Sequence, residues 1–125
     1  MILKDSLYHI TQKTERGYEV LLDEKHFIYQ AHFPGEPVTP GVCIIQMAKE
    51  LLEDYLQHDF EIKQVKNVKF LSVISPTKTP RVTCSFDKIS GSEECEECKA
   101  QMMVTAGDEA LAKLSMTVRR IHLDR

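Results

Sequence analysis

His32 is the residue of this chain whose setting best suits acid–base chemistry. It lies in Ala31-His32-Phe33-Pro34-Gly35, directly before a proline-stiffened segment that leads into a predicted helix. Imidazole exchanges a proton near neutral pH, and a rigid setting holds the ring in the geometry that general base catalysis requires. The predicted helix start at Gly41 and Val42 offers backbone N–H groups to an anion or a developing oxyanion. A structural or merely exposed histidine is the alternative.

The cysteines and the other histidines give weaker signals. Cys95-Glu96-Glu97-Cys98 is a single pair without a second pair or a histidine at zinc-finger spacing, so we expect no metal site. The same segment precedes a predicted strand, so no helix start lowers a thiol pKa for redox chemistry. Cys43, in the first turn of the predicted helix, favours core packing over a nucleophilic role. His26 lies close enough to His32 in sequence to line an entrance.

The segment that carries His32 is irregular and stiff. Between residues 26 and 41, Pro34, Pro37 and Pro40 each fix φ and remove an amide donor, so neither a helix nor a central strand runs through it. A helical pattern follows, with Thr39 as the predicted N-cap and Pro40 suited to the first turn. Its apolar residues recur at three-to-four spacing; they are Val42, Ile45, Ala48, Leu52 and Tyr55, widened by Ile44, Met47 and Leu51.

Alternating apolar and polar residues predict strands on both sides of this helix. Residues 6–13 and 17–23 form two strands around a turn at Arg16-Gly17, and four more follow from about residue 61. One of those four extends through Leu71–Ile74, and the clearest runs over 110–118. The order predicts an α+β fold, an antiparallel sheet of five to six strands with one long central helix. We expect residues 1–125 to form a single domain.

The composition excludes several classes of protein. With a net charge of −3 and a pI of about 5.9, the chain has no basic face for nucleic acid. No apolar run approaches the ~20 residues that span a bilayer. The beginning of the chain lacks a signal pattern, and the 4 cysteines are not needed as a disulfide framework, so we expect a cytoplasmic protein without membrane association. The acidic run of Glu93, Glu94, Glu96 and Glu97 predicts a solvated hairpin.

One contiguous motif carries a resemblance to a known family. The stretch His32-Phe33-Pro34-Gly35-Glu36-Pro37-Val38-Thr39-Pro40-Gly41-Val42 resembles the signature of the hot-dog-fold 3-hydroxyacyl-acyl carrier protein dehydratases. The resemblance implies a hot-dog fold, in which the sheet wraps around the helix. It also implies that His32 is the catalytic histidine and that the Gly41 amide polarises the thioester carbonyl. Residues expected to contact the substrate are Phe33, Pro34, Gly35, Val38, Pro40, Val42 and Ile45.

Gln46 is the departure from the family pattern. The family places its second catalytic group, a carboxylate, fourteen residues after the histidine, and here that residue is Gln46. An amide neither donates nor accepts a proton usefully at neutral pH, but it can hydrogen-bond the substrate hydroxyl or a water. A buried core amide bonded to backbone is the structural alternative.

Three groups can compensate for the missing acid. His32 can return its own proton to the leaving hydroxyl, and this is the route we favour. Glu50, four residues after Gln46 on the same helix face, and Glu36 in the motif loop are weaker substitutes.

The resemblance also implies partners. In the family, the histidine and the helix residue of one site come from opposite subunits whose sheets join edge to edge, so we expect a homodimer, with dimers assembling further as an open alternative. The acyl chain is expected in a tunnel near Ile45, Met47 and Phe70. It arrives on the phosphopantetheine of acyl carrier protein or on coenzyme A, with no other cofactor and no metal. Basic residues for the acidic carrier are Arg119 and Arg120, or Lys66 and Lys69.

Three functions therefore remain after the sequence is read. The first is dehydration of (3R)-3-hydroxyacyl thioesters to trans-2-enoyl thioesters in fatty acid or polyene synthesis. The second is a hot-dog thioesterase, although that chemistry normally uses a carboxylate too. The third is a non-catalytic acyl-binding or partner subunit that has lost its acid.

Overall fold

The computed structural model describes residues 2–91 and 96–122, which form one sheet and two helices. The elements are β1 (Tyr8–Lys13), β2 (Gly17–Leu22), α1 (Ile28–Ala31), α2 (Gly41–Leu56), β3 (Phe60–Phe70), β4 (Arg81–Ser90), β5 (Glu97–Ala106) and β6 (Glu109–Arg120). The strands pair antiparallel in the order β1-β2-β4-β5-β6-β3. The predicted α+β architecture, with two strands before one long helix and four after it along the chain, is confirmed.

The core lies between α2 and one face of the sheet. The helix buries one side, formed by Cys43, Ile44, Met47, Ala48, Leu51 and Leu52. The strands bury alternate residues, because successive side chains point to opposite faces. In the central strands these are Val82, Cys84 and Phe86 of β4, Ala100, Met102 and Val104 of β5, and Leu114, Met116 and Val118 of β6. The alternation in the sequence therefore identifies the face that packs on the helix.

Three predicted local features differ from the structure. The N-cap position of α2 is Pro40, and Thr39 makes no cap; its Oγ1 instead lies 2.9 Å from the hydroxyl of buried Tyr29. The segment predicted to be irregular contains the single turn of α1, whose first amide, that of Ile28, donates to Nδ1 of His26. The strand β3 ends at Phe70, so Leu71–Ile74 do not continue it, and they form one wall of a cleft instead.

The segment that precedes β1 packs on the flank of α2. Leu3 and Leu7 are buried, and the backbone N–H groups of Leu3 and Lys4 donate to the carboxylate of Glu50. Of the residues of the acidic hairpin, Glu93, Glu94 and Cys95 lie outside the described residues. No helix in the described part of the chain is long and apolar enough to cross a membrane.

Candidate functional site

His32 ends α1 and begins a loop that is closed by backbone hydrogen bonds. Its N–H donates to Ile28 O at 3.0 Å, and its carbonyl accepts from Val38 N at 2.9 Å. Inside this loop, Phe33 and Glu36 exchange two backbone hydrogen bonds of 3.2 and 3.0 Å. The turn needs a residue with positive φ, which is Gly35 at +80°. The prolines and these bonds together hold the histidine backbone in one place.

One contact of the His32 ring favours a particular tautomer. Its Nδ1 atom lies 3.4 Å from Val38 O, and a carbonyl oxygen can only accept. In the neutral ring this contact favours a proton on Nδ1, which leaves the lone pair of Nε2 to act as a base. The ring is half-buried and lies on the ring of Phe33, with centroids 4.1 Å apart.

A hydrogen bond between two buried hydroxyl groups links the two ends of the loop. Tyr29 and Thr39 are both buried and share a side-chain hydrogen bond, while Thr39 N donates to Ile74 O at 2.8 Å. Burial raises the pKa of Tyr29 to about 12, so its phenol stays neutral. These contacts join α1, the start of α2 and the segment after β3.

Gly41 is the first residue of α2 and is in close contact with Phe70. The helix hydrogen bonds begin with Cys43 and Ile44 donating to Pro40 O, so the Gly41 amide precedes the first helical bond. A Cβ on Gly41 would lie 2.7 Å from Cζ of Phe70, well inside van der Waals contact. Glycine therefore lets the ring pack on the helix start.

His32 and Gly41 line one cleft of about 390 Å³. The full lining is His32, Val38, Thr39, Pro40, Gly41, Ile44, Phe70, Leu71, Ser72, Val73 and Ile74. The side chains of Phe70, Leu71 and Val73 leave a broad apolar surface exposed at the rim. The cleft thus combines a base, a helix-start amide and apolar walls, which suits an acyl chain whose carbonyl accumulates charge.

The structure brings together only part of the predicted substrate set. Val38 and Pro40 line the cleft with His32 and Gly41. The lining does not include Phe33, Pro34, Gly35, Val42, Ile45 or Gln46. The wall from Leu71 to Ile74 was not predicted, because the sequence pattern assigned these residues to a strand. In the structure β3 ends at Phe70, and the residues after it line the cleft with His32.

Gln46 is held by Glu50 on the flank of α2. Its Nε2 donates to Glu50 Oε2 at 2.8 Å, and Glu50 also accepts the hydroxyl of Tyr8 at 2.9 Å. Burial and the Glu50 carboxylate raise the pKa of Tyr8 well above its usual value, so the phenol remains a donor. Glu50 is therefore engaged as an anchor, which argues against its use as a substitute acid. Glu36 is exposed on the loop.

The remaining predicted residues fall outside the cleft lining. His26 accepts the amide of Ile28 at the start of α1, and burial raises the pKa of the Cys43 thiol, which disfavours a nucleophilic thiolate. Met47 points into the core, and Arg119 forms an ion pair with Glu61. Lys66 and Lys69 are exposed on β3. Within 2–91 and 96–122, no three histidine, cysteine or carboxylate side chains converge as metal ligands.

Comparisons with known proteins show what the chain is similar to. Residues 9–109 match the ApeI-like family, described as ApeI dehydratase. A 3-hydroxyacyl-[acyl-carrier-protein] dehydratase FabZ from Clostridium acetobutylicum is 30% identical over 100 residues, which cover 73% of this chain and 70% of that protein.

Solved structures share the fold at lower sequence identity. One is the dehydratase heterocomplex ApeI:P from Xenorhabdus doucetiae, with a TM-score of 0.61 and 18% identity over 90% of this chain and 95% of that chain. A mutant thioesterase from Pseudomonas aeruginosa matches with a TM-score of 0.58 and 14% identity, covering 91% of this chain and 82% of that chain. The architecture is the predicted hot-dog fold.

Proposed function

Because the chain belongs to the ApeI-like dehydratase family, we propose that it removes water from (3R)-3-hydroxyacyl thioesters of acyl carrier protein in the cytoplasm. The product is a trans-2-enoyl thioester for fatty acid or related polyene synthesis. The observation that carries the proposal is that His32 lines an apolar cleft together with Gly41, the first residue of α2, while its Nδ1 contacts Val38 O, which favours Nε2 as the base.

His32 and Gly41 act together in the first step of the reaction. Nε2 of His32 removes a proton from carbon 2 while the Gly41 N–H stabilises the charge that develops on the thioester oxygen. The bond between carbon 3 and its hydroxyl then breaks, and the electron pair from carbon 2 forms the double bond. His32 returns its proton to the departing hydroxyl, so one water leaves and the imidazole is neutral again.

The homodimer is part of the proposal. The strand β3 lies at an edge of the sheet, and the apolar rim of Phe70, Leu71 and Val73 is exposed beside it. An exposed apolar rim next to an open sheet edge favours association with another subunit. In the proposed dimer, His32 of one protomer faces Gln46 of the partner subunit, and the acyl chain lies between the two subunits.

Gln46 favours one second candidate function. A chain that lacks the helix carboxylate is suited to act beside a different subunit that supplies it, and the similar ApeI:P structure is described as a heterocomplex. In that case this chain binds the acyl group but turns it over only with its partner. No feature of the cleft specifically favours the thioesterase alternative.

Mass spectrometry of the acylated carrier tests the proposal. A panel of 3-hydroxyacyl-acyl carrier proteins and the matching coenzyme A thioesters is incubated with the protein, with His32→Ala and with His58→Ala, whose ring does not line the cleft. We expect loss of one water with the parent protein and with His58→Ala, and a rate lower by about 10²–10⁴-fold with His32→Ala. Unchanged carrier at every chain length contradicts independent dehydration, and free thiol indicates a thioesterase.

A further inference from the structure

The carboxylate of Glu50 receives four hydrogen-bond donors. Oε2 accepts from Leu3 N and from Gln46 Nε2, both at 2.8 Å. Oε1 accepts from Lys4 N at 2.8 Å and from the Tyr8 hydroxyl at 2.9 Å. Two of these donors are backbone amides and one is a phenol that keeps its proton, so the group they surround must be an acceptor. An ionised carboxylate, which only accepts, meets that requirement.

This arrangement fixes the direction of the Gln46 amide. A glutamine side chain carries a donor group, NH₂, and an acceptor group, the carbonyl oxygen, on the same carbon. With Nε2 bonded to Glu50, the oxygen Oε1 is the end turned away from that carboxylate. A flip of the amide would place Oε1 against the carboxylate oxygen and would replace an attraction with a repulsion. Glu50 therefore selects one of two orientations that otherwise have the same shape.

We propose that Glu50 is a positioning residue that makes Gln46 an acceptor for the 3-hydroxyl of the substrate. The inference rests on the dehydration and on the homodimer proposed above, in which Gln46 meets the cleft of the other protomer. Oε1 receives the hydrogen of the hydroxyl group and places carbon 3 for elimination. Because Oε1 carries no proton, the proton that completes the water comes from His32.

The same orientation gives the site a means of selecting its substrate class. A 3-hydroxyacyl thioester offers a donor at carbon 3, whereas a 3-oxoacyl thioester of equal length offers only an acceptor. Two acceptors that face each other repel and gain no hydrogen bond from the contact, which is unfavourable. Glu50 thus determines a preference for hydroxyl over ketone without contacting the ligand.

Binding of two matched ligands tests this preference independently of turnover. The dissociation constants of 3-hydroxyacyl- and 3-oxoacyl-pantetheine of one chain length are measured in the His32→Ala background, where elimination is blocked. We expect the hydroxyacyl ligand to bind about 10-fold more tightly, as for one hydrogen bond gained and one repulsion avoided. Glu50→Gln removes the preference, because the new amide can donate to Gln46 and permit the flip.

Two variants separate positioning from general damage to the helix. Glu53→Gln is the matched control, since Glu53 lies on the same helix, also accepts a backbone amide, that of Phe60 at 2.8 Å, and pairs with Lys49. It should keep the preference. Glu50→Asp withdraws the carboxylate by one methylene and serves if Glu50→Gln does not fold; it should reduce the preference at unchanged charge.

Nuclear magnetic resonance gives a second readout without any ligand. The side-chain NH₂ signals of Gln46, assigned by their loss in Gln46→Met, should exchange with water at least about 10-fold more slowly than those of exposed Gln30. The protection should fall in Glu50→Gln and remain unchanged in Glu53→Gln. If Glu50→Gln keeps both the ligand preference and this protection, the inference is overturned even where dehydration is observed. If the preference depends on Glu50 but no water is lost in the parent protein, the inference stands and the proposed reaction fails.

Discussion

The Nδ1 atom of His32 lies 3.4 Å from the carbonyl oxygen of Val38, within a loop whose backbone these same two residues close through a second hydrogen bond. The side-chain contact orients the ring, and the backbone contact keeps its acceptor in place. A short loop thus favours the tautomer protonated on Nδ1. The orienting group is a neutral carbonyl, so this preference requires no buried counter-charge.

We expect ¹⁵N spectra of the neutral His32 ring to show a proton on Nδ1 and none on Nε2. His32→Asn, whose amide can still donate to Val38 O, should retain the fold and lose dehydration by about 10²–10⁴-fold, because no atom replaces Nε2. A ring protonated on Nε2, or an asparagine variant with full activity, would contradict the assignment of the base.

The contact between Gly41 and Phe70 predicts energetic coupling between the two positions. Gly41→Ala places a methyl group 2.7 Å from Cζ of Phe70, so the ring must move or the start of α2 must shift. We expect Gly41→Ala to lower the free energy of unfolding, and Phe70→Val to relieve part of that loss. Urea denaturation of both single variants and the double variant measures the coupling, expected at about 0.5–3 kcal/mol. If the losses in free energy of unfolding are additive, the Phe70 ring moves aside without cost and the two positions are not coupled.

Gln46→Glu should increase dehydration if residue 46 occupies the place of the family acid. The new carboxyl would lie within hydrogen-bond distance of Glu50, and two such groups cannot both ionise, so the pKa of the new carboxyl rises and it keeps a proton to donate. We expect a kcat at least about 10-fold higher. Gln64→Glu on exposed β3 adds the same charge elsewhere and should have no effect.

The pH dependence of stability of the Gln46→Glu variant tests whether the new carboxyl has a raised pKa. Since the folded state raises the pKa of the new carboxyl, its proton stabilises the fold at low pH and is lost as pH rises through the raised pKa. Stability relative to the parent should therefore fall with rising pH. Dehydration equal to that of the parent would exclude residue 46 from the acid's position.

Asp54 predicts part of the acid sensitivity of the fold. The Tyr18 hydroxyl donates to its Oδ2, Lys13 lies 3.1 Å away, and both lower the pKa of Asp54 below its usual value. This stabilisation is present above the unfolded-state pKa and is lost as pH falls through the folded-state pKa. Asp54→Asn should cost about 1.5–3 kcal/mol at neutral pH and little in acid. In contrast, Asp108→Asn, in the exposed β5–β6 turn, should change stability equally little at both pH values.

Much of the fold could be predicted because apolar residues recur along the sequence with the period of the strand or helix that buries them. Period-two patterns identified the inward residues of β4, β5 and β6, and three-to-four spacing identified α2. The prediction was wrong at Thr39 and at Leu71–Ile74. The hydroxyl of Thr39 bonds to Tyr29 across ten residues, and Leu71–Ile74 follow the end of β3 to form the cleft wall, with Leu71 and Ser72 both donating to Leu111 O of β6. Both outcomes depend on distant neighbours that local patterns do not contain.

The sequence by itself determined the motif from His32 to Val42, the presence of an amide at position 46 and the succession of strands and helix along the chain, since each is a matter of residue type and local spacing. Only the tertiary structure decided that Phe70 packs on Gly41 and that Glu50 takes its donors from Leu3 and Lys4, 47 and 46 residues away, as well as from Gln46. A carboxylate can accept from any donor that folding brings near it. Packing of the segment before β1 on α2 therefore sets the direction of the Gln46 amide.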